Sequence, residues 1–182
     1  MQTSVLINQE NNIIDCRPVF NQFGYLPPGF HNINLDLMKY HFVDIFRYSN
    51  TRNIIFDGYI KFCTYLMSYY GIYNFVQWIG GSFCTTKNNP NDIDVVTFID
   101  NYELLKISML QYGFLQSPEH REMIKSLFYC DSINIFAPSY YIDNQFEEIK
   151  MHWRGVWGFD RFNTPKGSLR VTFGKGLHYN YI

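Results

Sequence analysis

The sequence predicts an α/β (α+β) domain with one small mixed β-sheet, and three observations support this fold class. The chain has 182 residues, the size of one domain, and 47% of them are hydrophobic, which is enough for a core. Short apolar runs typical of buried strands are separated by longer stretches with helical periodicity. The strands and helices follow one another in no regular order, which favours a mixed sheet.

The first 70 residues are expected to be mainly helical after an irregular start. Proline and glycine mark a turn, asparagine or threonine can cap each helix, and Gly71 is a natural stop signal. The expected elements are a short strand near Ile13, a turn at 27–29, a helix over 35–42 capped by Asn32 or Asn34, and a helix capped by Asn50 or Thr51 that runs to about residue 70.

The remainder alternates between strands and helices. The predicted strands cover 73–79, 93–99, 128–136 and 167–173, and the predicted helices cover 102–114, 118–127 and 143–153. We interpret the chain as a single domain over residues 1–182. It would comprise an N-terminal helical part at about 23–70, a catalytic core at about 71–136 and a basic, aromatic C-terminal part at about 150–182.

The net charge of −1 conceals an asymmetry along the chain. Residues 1–149 carry nine Lys or Arg and fifteen Asp or Glu side chains, whereas residues 150–182 carry six Lys or Arg and only Asp160. A basic end on an acidic body suggests a local anion site and argues against a surface coated for nucleic acid.

The cysteines and apolar segments favour a cytoplasmic protein. The four cysteines form no CxxC pair, so we expect buried thiols and no disulfides. The N-terminus lacks the basic start and apolar core of a signal peptide. Residues 62–86 carry no charge, but glycines and polar side chains interrupt them, so a buried helix and strand explain them better than a membrane span.

The most informative motif joins Gly80-Gly81-Ser82 to Asp92-Ile93-Asp94 across nine residues. Successive strand residues point to opposite faces, so the side chains of Asp92 and Asp94 share a face, about 7 Å apart. Such paired carboxylates can hold two divalent cations, while glycine N–H groups and a serine hydroxyl suit a phosphate. The combination indicates phosphoryl or nucleotidyl transfer.

A β-hairpin with a glycine turn is the alternative explanation of this spacing. It leaves Asp92 and Asp94 crowded at the mouth of a core strand, which is costly unless cations neutralise them. Asp131, near the start of the next strand, is the candidate third ligand, although it could also cap a turn. We therefore predict that Asp92, Asp94 and Asp131 bind metal and are catalytic.

The motif resembles the signature of the polymerase-β-like nucleotidyltransferase superfamily, in which a glycine-rich turn precedes Asp-hydrophobic-Asp by a short spacer. More closely, the chain from roughly residue 20 to residue 175 resembles a family of small bacterial proteins of unknown function assigned to that superfamily. The matching segments are Phe23–Gly29, Gly80–Ser82 with Pro90–Val95, Cys130–Asp131, Trp153–Gly155, and Gly158–Arg161 with Pro165–Gly167.

This resemblance implies both a fold and a set of ligands. The fold is a short mixed β-sheet flanked by helices. The ligands are Mg²⁺, with two ions expected, at Asp92, Asp94 and Asp131, and an NTP whose triphosphate binds the Gly80–Ser82 turn. The superfamily includes toxins and antitoxins that modify RNA or protein, antibiotic-modifying enzymes and inactive relatives, so the resemblance does not specify an acceptor.

Four basic residues are secondary candidates. Lys87 lies in the spacer loop, where it either contacts phosphate or is solvated. Arg154, Arg161 and Lys166 lie among aromatic residues and are candidate substrate contacts, since arginine with exposed aromatics holds single-stranded nucleic acid or a nucleobase. Alternatively, the tryptophans form a small core with cations at its surface, and Asp160 and Arg161 form an internal turn with an ion pair.

Two functions are compatible with these patterns. The first is an enzyme that transfers NMP from an NTP to a hydroxyl of RNA, protein or a small molecule, in a toxin–antitoxin or phage-defence setting. The second is a catalytically silent nucleotidyltransferase-like module that acts as the partner of another protein. Affinity for Mg²⁺ and nucleotide discriminates between them.

Overall fold

Helices cover both faces of a five-stranded mixed sheet in the computed structural model, which describes residues 20–137 and 144–174. The strands are β1 (Gly29–Asn32), β2 (Phe75–Gly80), β3 (Ile93–Asp100), β4 (Cys130–Ala137) and β5 (Gly167–Phe173). The helices are α1 (Leu35–Lys39), α2 (Arg52–Tyr70), α3 (Asn101–Leu104), α4 (Met109–Leu115), α5 (Pro118–Phe128) and α6 (Asn144–Trp157). The strand predicted near Ile13 lies outside the described residues.

The strand order is β1-β5-β2-β3-β4, with β2 at the centre. β2 runs antiparallel to both of its neighbours, β5 and β3, whereas the outer pairs β1–β5 and β3–β4 are parallel. All six residues of β2 are buried, as expected for a strand that is apolar on both faces. The predicted mixed sheet in an α/β domain is therefore confirmed.

The larger core lies between one face of the sheet and α2. Tyr59, Phe62 and Leu66 of α2 are fully buried there against alternate residues of β2 and β3. A buried polar chain crosses this interface: the Tyr59 hydroxyl donates to Gln77 Oε1 at 2.7 Å, and Gln77 Nε2 donates to Thr97 Oγ1 at 3.1 Å. Because these groups satisfy one another, the polar residues are tolerated inside the core.

The opposite face carries a smaller aromatic cluster that includes residues of α6. Trp78 and Phe98 are buried with their ring centroids 4.6 Å apart, and Trp157 at the end of α6 packs against the same face. Trp153 lies one turn earlier, 5.6 Å from Trp157 between ring centroids. This cluster holds the end of α6 beside the end of β2.

Some element boundaries differ from the prediction for identifiable reasons. The helix predicted over 102–114 is two helices, because Ser108 and Gln111 form a capping box that starts α4. The strand predicted from residue 128 begins at Cys130, because Tyr129 adopts a left-handed conformation (φ 56°) and ends α5. The first helix continues past α1 as a π-helical turn, Tyr40–Asp44. α6 extends four residues beyond the predicted end.

β1 is an element that the sequence analysis missed. It has four residues and pairs in parallel with β5, with Gly29 opposite Gly167 and Asn32 opposite Arg170. The strand is too short for an alternating pattern to show, and its pairing partner lies far away in the sequence. Asn34, one of the two predicted caps, does cap α1 by accepting a hydrogen bond from the Leu37 N–H at 2.8 Å.

Three cysteines lie in the described part of the chain, and each is a buried free thiol: Cys63, Cys84 and Cys130. Burial raises the pKa of Cys84 to about 12 and that of Cys130 well above its usual range, so both thiols stay protonated near neutral pH. Within residues 20–137 and 144–174, no helix is both long and apolar enough to span a membrane.

The contact between α2 and α5 yields a stability prediction. A Cβ on Gly58 would collide with the main-chain carbonyl of Phe128, so the two helices approach closely only because residue 58 is glycine. Gly58→Ala is expected to lower the free energy of unfolding by about 2 kcal/mol through overpacking, as measured by urea denaturation.

Gly113→Ala in α4 is the matched control, since a Cβ there meets nothing within 4 Å. Helix propensity alone should then raise stability by about 0.5–1 kcal/mol. Equal responses of the two variants would contradict the importance of the close approach.

Candidate active site

The three predicted carboxylates meet on the face of the sheet that carries Trp78. Asp94 in β3 is paired with Gly80 of β2 on one side and with Asp131 of β4 on the other. Asp92 immediately precedes β3, and the two-residue period of a strand puts it on the same side as Asp94. The sheet register therefore brings Asp92, Asp94 and Asp131 together at the end where β2 turns.

The glycine turn after β2 leaves room for the Asp94 carboxylate. Gly81 has φ 67° and ψ −159°, a conformation that is strained for other residues, and a Cβ there would overlap the Asp94 side chain. A Cβ on Gly80 would lie 3.0 Å from the Trp157 ring. Ser82 then begins a 3₁₀ turn, Ser82–Cys84, and its carbonyl accepts a hydrogen bond from Thr85 Oγ1 at 2.8 Å.

Crowding of like charges shapes the electrostatics of the site. Burial raises the pKa of Asp94, and the negative charges of Asp92 and Asp131 raise it further, while Lys166 and Lys125 oppose the shift. The ionised form of Asp94 is therefore disfavoured in the absence of a bound cation. Lys166, in the C-terminal part of the chain, is thus near enough to Asp94 for its positive charge to favour the ionised carboxylate.

Two cations of α5 contact the carboxylates, and sequence reasoning did not identify them. Arg121 Nε donates to Asp131 Oδ1 at 2.7 Å, and Lys125 Nζ donates to Asp131 Oδ2 at 2.9 Å. The same Lys125 Nζ lies 3.4 Å from Asp92 Oδ2 and so bridges two of the three acids. Burial alone would raise the pKa of Asp131, but hydrogen bonds from Lys125 and Arg121 outweigh it and hold the pKa below its usual range.

The ion pairs of Asp92 and Asp131 with α5 bear on the prediction that three acids bind metal. Among residues 20–137 and 144–174, no three Asp, Glu, His or Cys side chains converge closely enough to hold a metal ion. Asp131 is oriented towards the cations of α5, and Lys125 lies between Asp131 and Asp92. The backbone register assembles the three acids, while their side chains are arranged around protein cations.

A buried arginine fixes the loop that follows the glycine turn, and this residue too was missed. Arg52 is 0% exposed, and its guanidinium donates four hydrogen bonds to main-chain carbonyls. Nη1 donates to Phe42 O (2.7 Å) and Phe83 O (2.8 Å), and Nη2 donates to Thr85 O (2.7 Å) and Lys87 O (2.6 Å). Burial lowers the pKa of Arg52 to about 10, so it remains charged at neutral pH.

The N-terminal and C-terminal motifs meet beside this loop. The Tyr25 hydroxyl donates to Asp160 Oδ2 at 2.9 Å, and the Thr86 N–H donates to the Gly24 carbonyl at 2.9 Å. Asp160 Oδ1 also accepts from the N–H groups of Phe162 and Thr164, each at 2.8 Å, so Asp160 organises an internal turn, as one alternative expected. The ion pair with Arg161 that this alternative included is not among the ion pairs of residues 20–137 and 144–174. This turn leads directly to Lys166.

The four secondary candidates lie in different environments. Arg154 in α6 lies 5.8 Å from the Trp78 ring centroid, Arg161 is exposed, and Lys166 acts on Asp94. Lys87 has an exposed side chain on the spacer loop, and its main-chain carbonyl is one of the four bound by Arg52. Trp157 belongs to a small aromatic core, as the second interpretation of this region expected.

A family model with the description "Family of unknown function (DUF6932)" matches residues 18–172. The chain belongs to this family. No curated protein and no solved structure matches the chain significantly. The matched range contains the three acids, the glycine turn, the α5 cations Arg121 and Lys125, and Lys166. The site described above therefore lies within the part that defines the family.

The missed residues left weak signals in the sequence. Arg121 and Lys125 are four residues apart on a predicted helix and shortly precede Asp131, which places both cations on one side of that helix. Arg52 directly follows the predicted cap Thr51, where the helix dipole disfavours a cation. A cation at that position indicates a specific partner, although its main-chain partners cannot be read from spacing.

The Arg52 hydrogen bonds predict a large stability effect. Arg52→Met keeps most of the side-chain volume and leaves four carbonyls, two of them buried and two partly buried, without their donor, so we expect the free energy of unfolding to fall by about 3–5 kcal/mol. Arg47→Met, at an exposed position nearby in sequence, should change it by less than about 0.5 kcal/mol. A loss below about 1 kcal/mol for Arg52→Met, measured by denaturation, would contradict the role of Arg52.

The crowded acids predict opposite effects for two matched substitutions. Asp94→Asn removes a buried charge whose ionised form is disfavoured, so it should stabilise the metal-free protein by roughly 1 kcal/mol at pH 7. Because the pKa of Asp94 is raised, this gain should shrink as the pH falls and the native carboxyl becomes protonated. Thermal melts of wild type and Asp94→Asn at several pH values, from about pH 4 to about pH 7, measure how this gain depends on pH.

Asp131→Asn is the companion variant. It breaks the hydrogen-bonded pairs with Arg121 and Lys125 and should lower stability by about 0.5–1 kcal/mol at pH 7. The pKa of Asp131 is lowered, so this loss should disappear as the acid becomes protonated. The same sign for both variants at pH 7 would contradict the described electrostatics.

Proposed function

We propose that the chain is a Mg²⁺-dependent nucleotidyltransferase with a polymerase-β-like fold. It would transfer NMP from an NTP to a hydroxyl of RNA, protein or a small molecule and release pyrophosphate. The observation that carries the proposal is the order of three adjacent strands. β2 ends in the Gly81-Ser82 turn, Asp92 and Asp94 flank the first residue of β3, and β4 carries Asp131 beside Asp94.

The chemistry of the donor set suits Mg²⁺, although the three side chains do not converge on one point while Lys125 and Arg121 hold Asp92 and Asp131, so metal binding would require these two acids to leave the cations. Three carboxylates supply only hard oxygen donors, which Mg²⁺ prefers. Their crowding raises the pKa of Asp94, as expected for a site completed by added positive charge. Lys125 Nζ already lies within 3.4 Å of two of the acids, so a cation is tolerated between them. Bound Mg²⁺ would neutralise charge on the phosphates and lower the pKa of the attacking hydroxyl.

Residues of the chain would bind the phosphates and position the acceptor. The Gly81 N–H and the Ser82 hydroxyl would bind the β- and γ-phosphates, and Lys166 would add positive charge on that side. Asp131 would orient the acceptor hydroxyl. The acceptor oxygen forms a bond to the α-phosphorus, the bond to the bridging oxygen breaks, pyrophosphate leaves with the electron pair, and the acceptor proton passes to water.

One observation favours the second function, a catalytically silent module that binds a partner protein. Arg121 and Lys125 neutralise Asp131 and Asp92 within the chain itself. A site whose acids are permanently paired in this way would bind Mg²⁺ and NTP weakly. In that case the domain would serve as a binding partner, for example in a toxin–antitoxin or phage-defence pair.

A transfer assay tests the enzymatic proposal. The protein is incubated with Mg²⁺, with each of the four NTPs labelled at the α-phosphate, and with either total cell RNA or a protein lysate. We expect label on an acceptor with wild-type protein and at least about a hundredfold less with Asp94→Asn. Absence of any Asp94-dependent transfer, combined with no Mg–NTP binding in calorimetry, would support the silent module.

Two glycine variants provide a matched control for the phosphate turn. Gly81 and Gly71 both have φ 67°, although ψ is −159° at Gly81 and 21° at Gly71. Only at Gly81 would a Cβ strike the Asp94 carboxylate, and nothing lies within 4 Å of a Cβ on Gly71. Gly81→Ala should weaken Mg–NTP binding about tenfold or more, a loss of roughly 1.4 kcal/mol, whereas Gly71→Ala should leave it within about twofold. Equal binding by the two variants would argue against a role of the turn.

A further inference from the structure

Basic side chains flank the acids on two sides, with Lys166 on one side and Arg121 and Lys125 on the other. Lys166 directly precedes β5, which lies next to β2, so it belongs to the same side of Asp94 as the Gly81-Ser82 turn. Arg121 and Lys125 reach Asp131 from α5, on the opposite side of Asp94, where β4 is the edge strand of the described sheet. The proposed phosphate turn and the α5 cations are thus on opposite sides of β3.

The α5 cations are accessible, although the acids that they contact are largely buried. The side chains of Arg121 and Lys125 are 47% and 43% exposed, whereas that of Asp131 is 17% exposed. Half-exposed ion pairs contribute little to stability, so the fold does not require two cations here. Glu119 of α5 projects from another side of the helix according to its 3.6-residue period, whereas Glu122 lies three residues before Lys125, on a neighbouring part of the surface. The ion pairs that Lys125 forms in the structure are those with Asp131 and Asp92.

We propose that the acceptor carries a phosphate group close to the hydroxyl that reacts, and that this phosphate binds Arg121 and Lys125. The inference rests on the proposed nucleotidyltransferase function. In that function Asp131 lies beside the attacking hydroxyl. Metal ions bound by Asp92 and Asp131 would displace Lys125 and Arg121 from these carboxylates. Two accessible positive charges then remain next to the acceptor, and guanidinium and ammonium groups both suit a phosphate.

This chemistry selects among acceptors. A ribonucleotide chain has a phosphodiester close to its terminal hydroxyls and can pair with both cations. A serine, threonine or tyrosine hydroxyl of a protein brings no phosphate, and a cationic amino sugar would be repelled by Arg121 and Lys125. A free nucleoside monophosphate offers the same phosphate chemistry as an RNA end, so experiment must separate these two sources.

Binding of a short RNA tests the proposal directly. The probe is a fluorescein-labelled single-stranded RNA of about ten nucleotides with a free 3′ hydroxyl, a length that spans one typical binding site. Its affinity is measured by anisotropy with Mg²⁺ and each of the four α,β-methylene NTP analogues, which cannot transfer NMP. Arg121→Gln and Lys125→Gln should each weaken RNA binding about fivefold to tenfold and reduce the salt dependence by about 0.7 per lost phosphate contact.

Three controls separate the acceptor role from other roles. Lys61→Gln removes the same charge from an exposed position on α2 and should leave RNA affinity within about twofold. Arg121→Lys keeps the charge but loses the planar fork, so its RNA affinity should fall between those of wild type and Arg121→Gln. Thermal melts should differ by only a few degrees, since these cations are half exposed.

The outcomes are distinguishable from those of the proposed function. The proposal is supported if wild type binds the Mg–NTP analogues, and if Arg121→Gln and Lys125→Gln bind the analogues as tightly as wild type but bind RNA more weakly. If they weaken the analogue as much as the RNA, the cations serve the triphosphate and the proposal is overturned. In the transfer assay, label that is transferred to protein and not to RNA also overturns the proposal. Failure of wild type to bind any analogue rejects the nucleotidyltransferase function itself.

A competition arm identifies the source of the phosphate. Unlabelled RNA should displace the probe at lower concentrations than nucleoside monophosphates if a chain is the acceptor. Equal displacement per molecule would assign the site to a mononucleotide with the same phosphate chemistry.

Discussion

The hydrogen-bonded register of β3 between its two neighbours sets the geometry of the candidate site. Gly80, Asp94 and Asp131 form one row across three strands because β2 pairs antiparallel and β4 pairs parallel with β3. Slippage of β3 by a single residue would turn Asp94 into the α2 core and move Val95 to the opposite face. Such a slip would bury the Asp94 carboxylate among apolar side chains and break the hydrogen bond between Gln77 and Thr97, so the polar residues of β2 and β3 fix the register that holds the acids in place.

Arg52 links this row to the rest of the domain. It binds carbonyls that belong to the π-helical turn before α2 and to the loop after the glycines, and it is itself the first residue of α2. The loop after Gly81 is thereby anchored from inside the core, not only by its own turn contacts. Packing of the N-terminal helices consequently affects the geometry of the glycine turn.

Local patterns predicted the parts of the fold and site that depend on neighbours in sequence. The strands around Gly80 and Asp94 were predicted because apolar runs and a two-residue period are local signals. β1 was not, because four residues acquire strand structure only by pairing with β5, far along the chain. The contacts of Arg52 were missed for the same reason, since the carbonyls of Phe83 and Thr85 are 31 and 33 residues away. Arg121 and Lys125 are near Asp131 in sequence, but the left-handed turn at Tyr129 decides that they meet it.

The absence of a side chain at Gly81 has a consequence for how this protein can change over evolution. The volume that a Cβ would need is filled by the carboxylate of Asp94. Position 81 can therefore not vary independently of position 94: a larger residue at 81 excludes the acid, and only loss of the acid would free the space. In a lineage where this pair of residues diverges, position 94 should change first, and the positive φ of the backbone would still restrict what can follow at position 81.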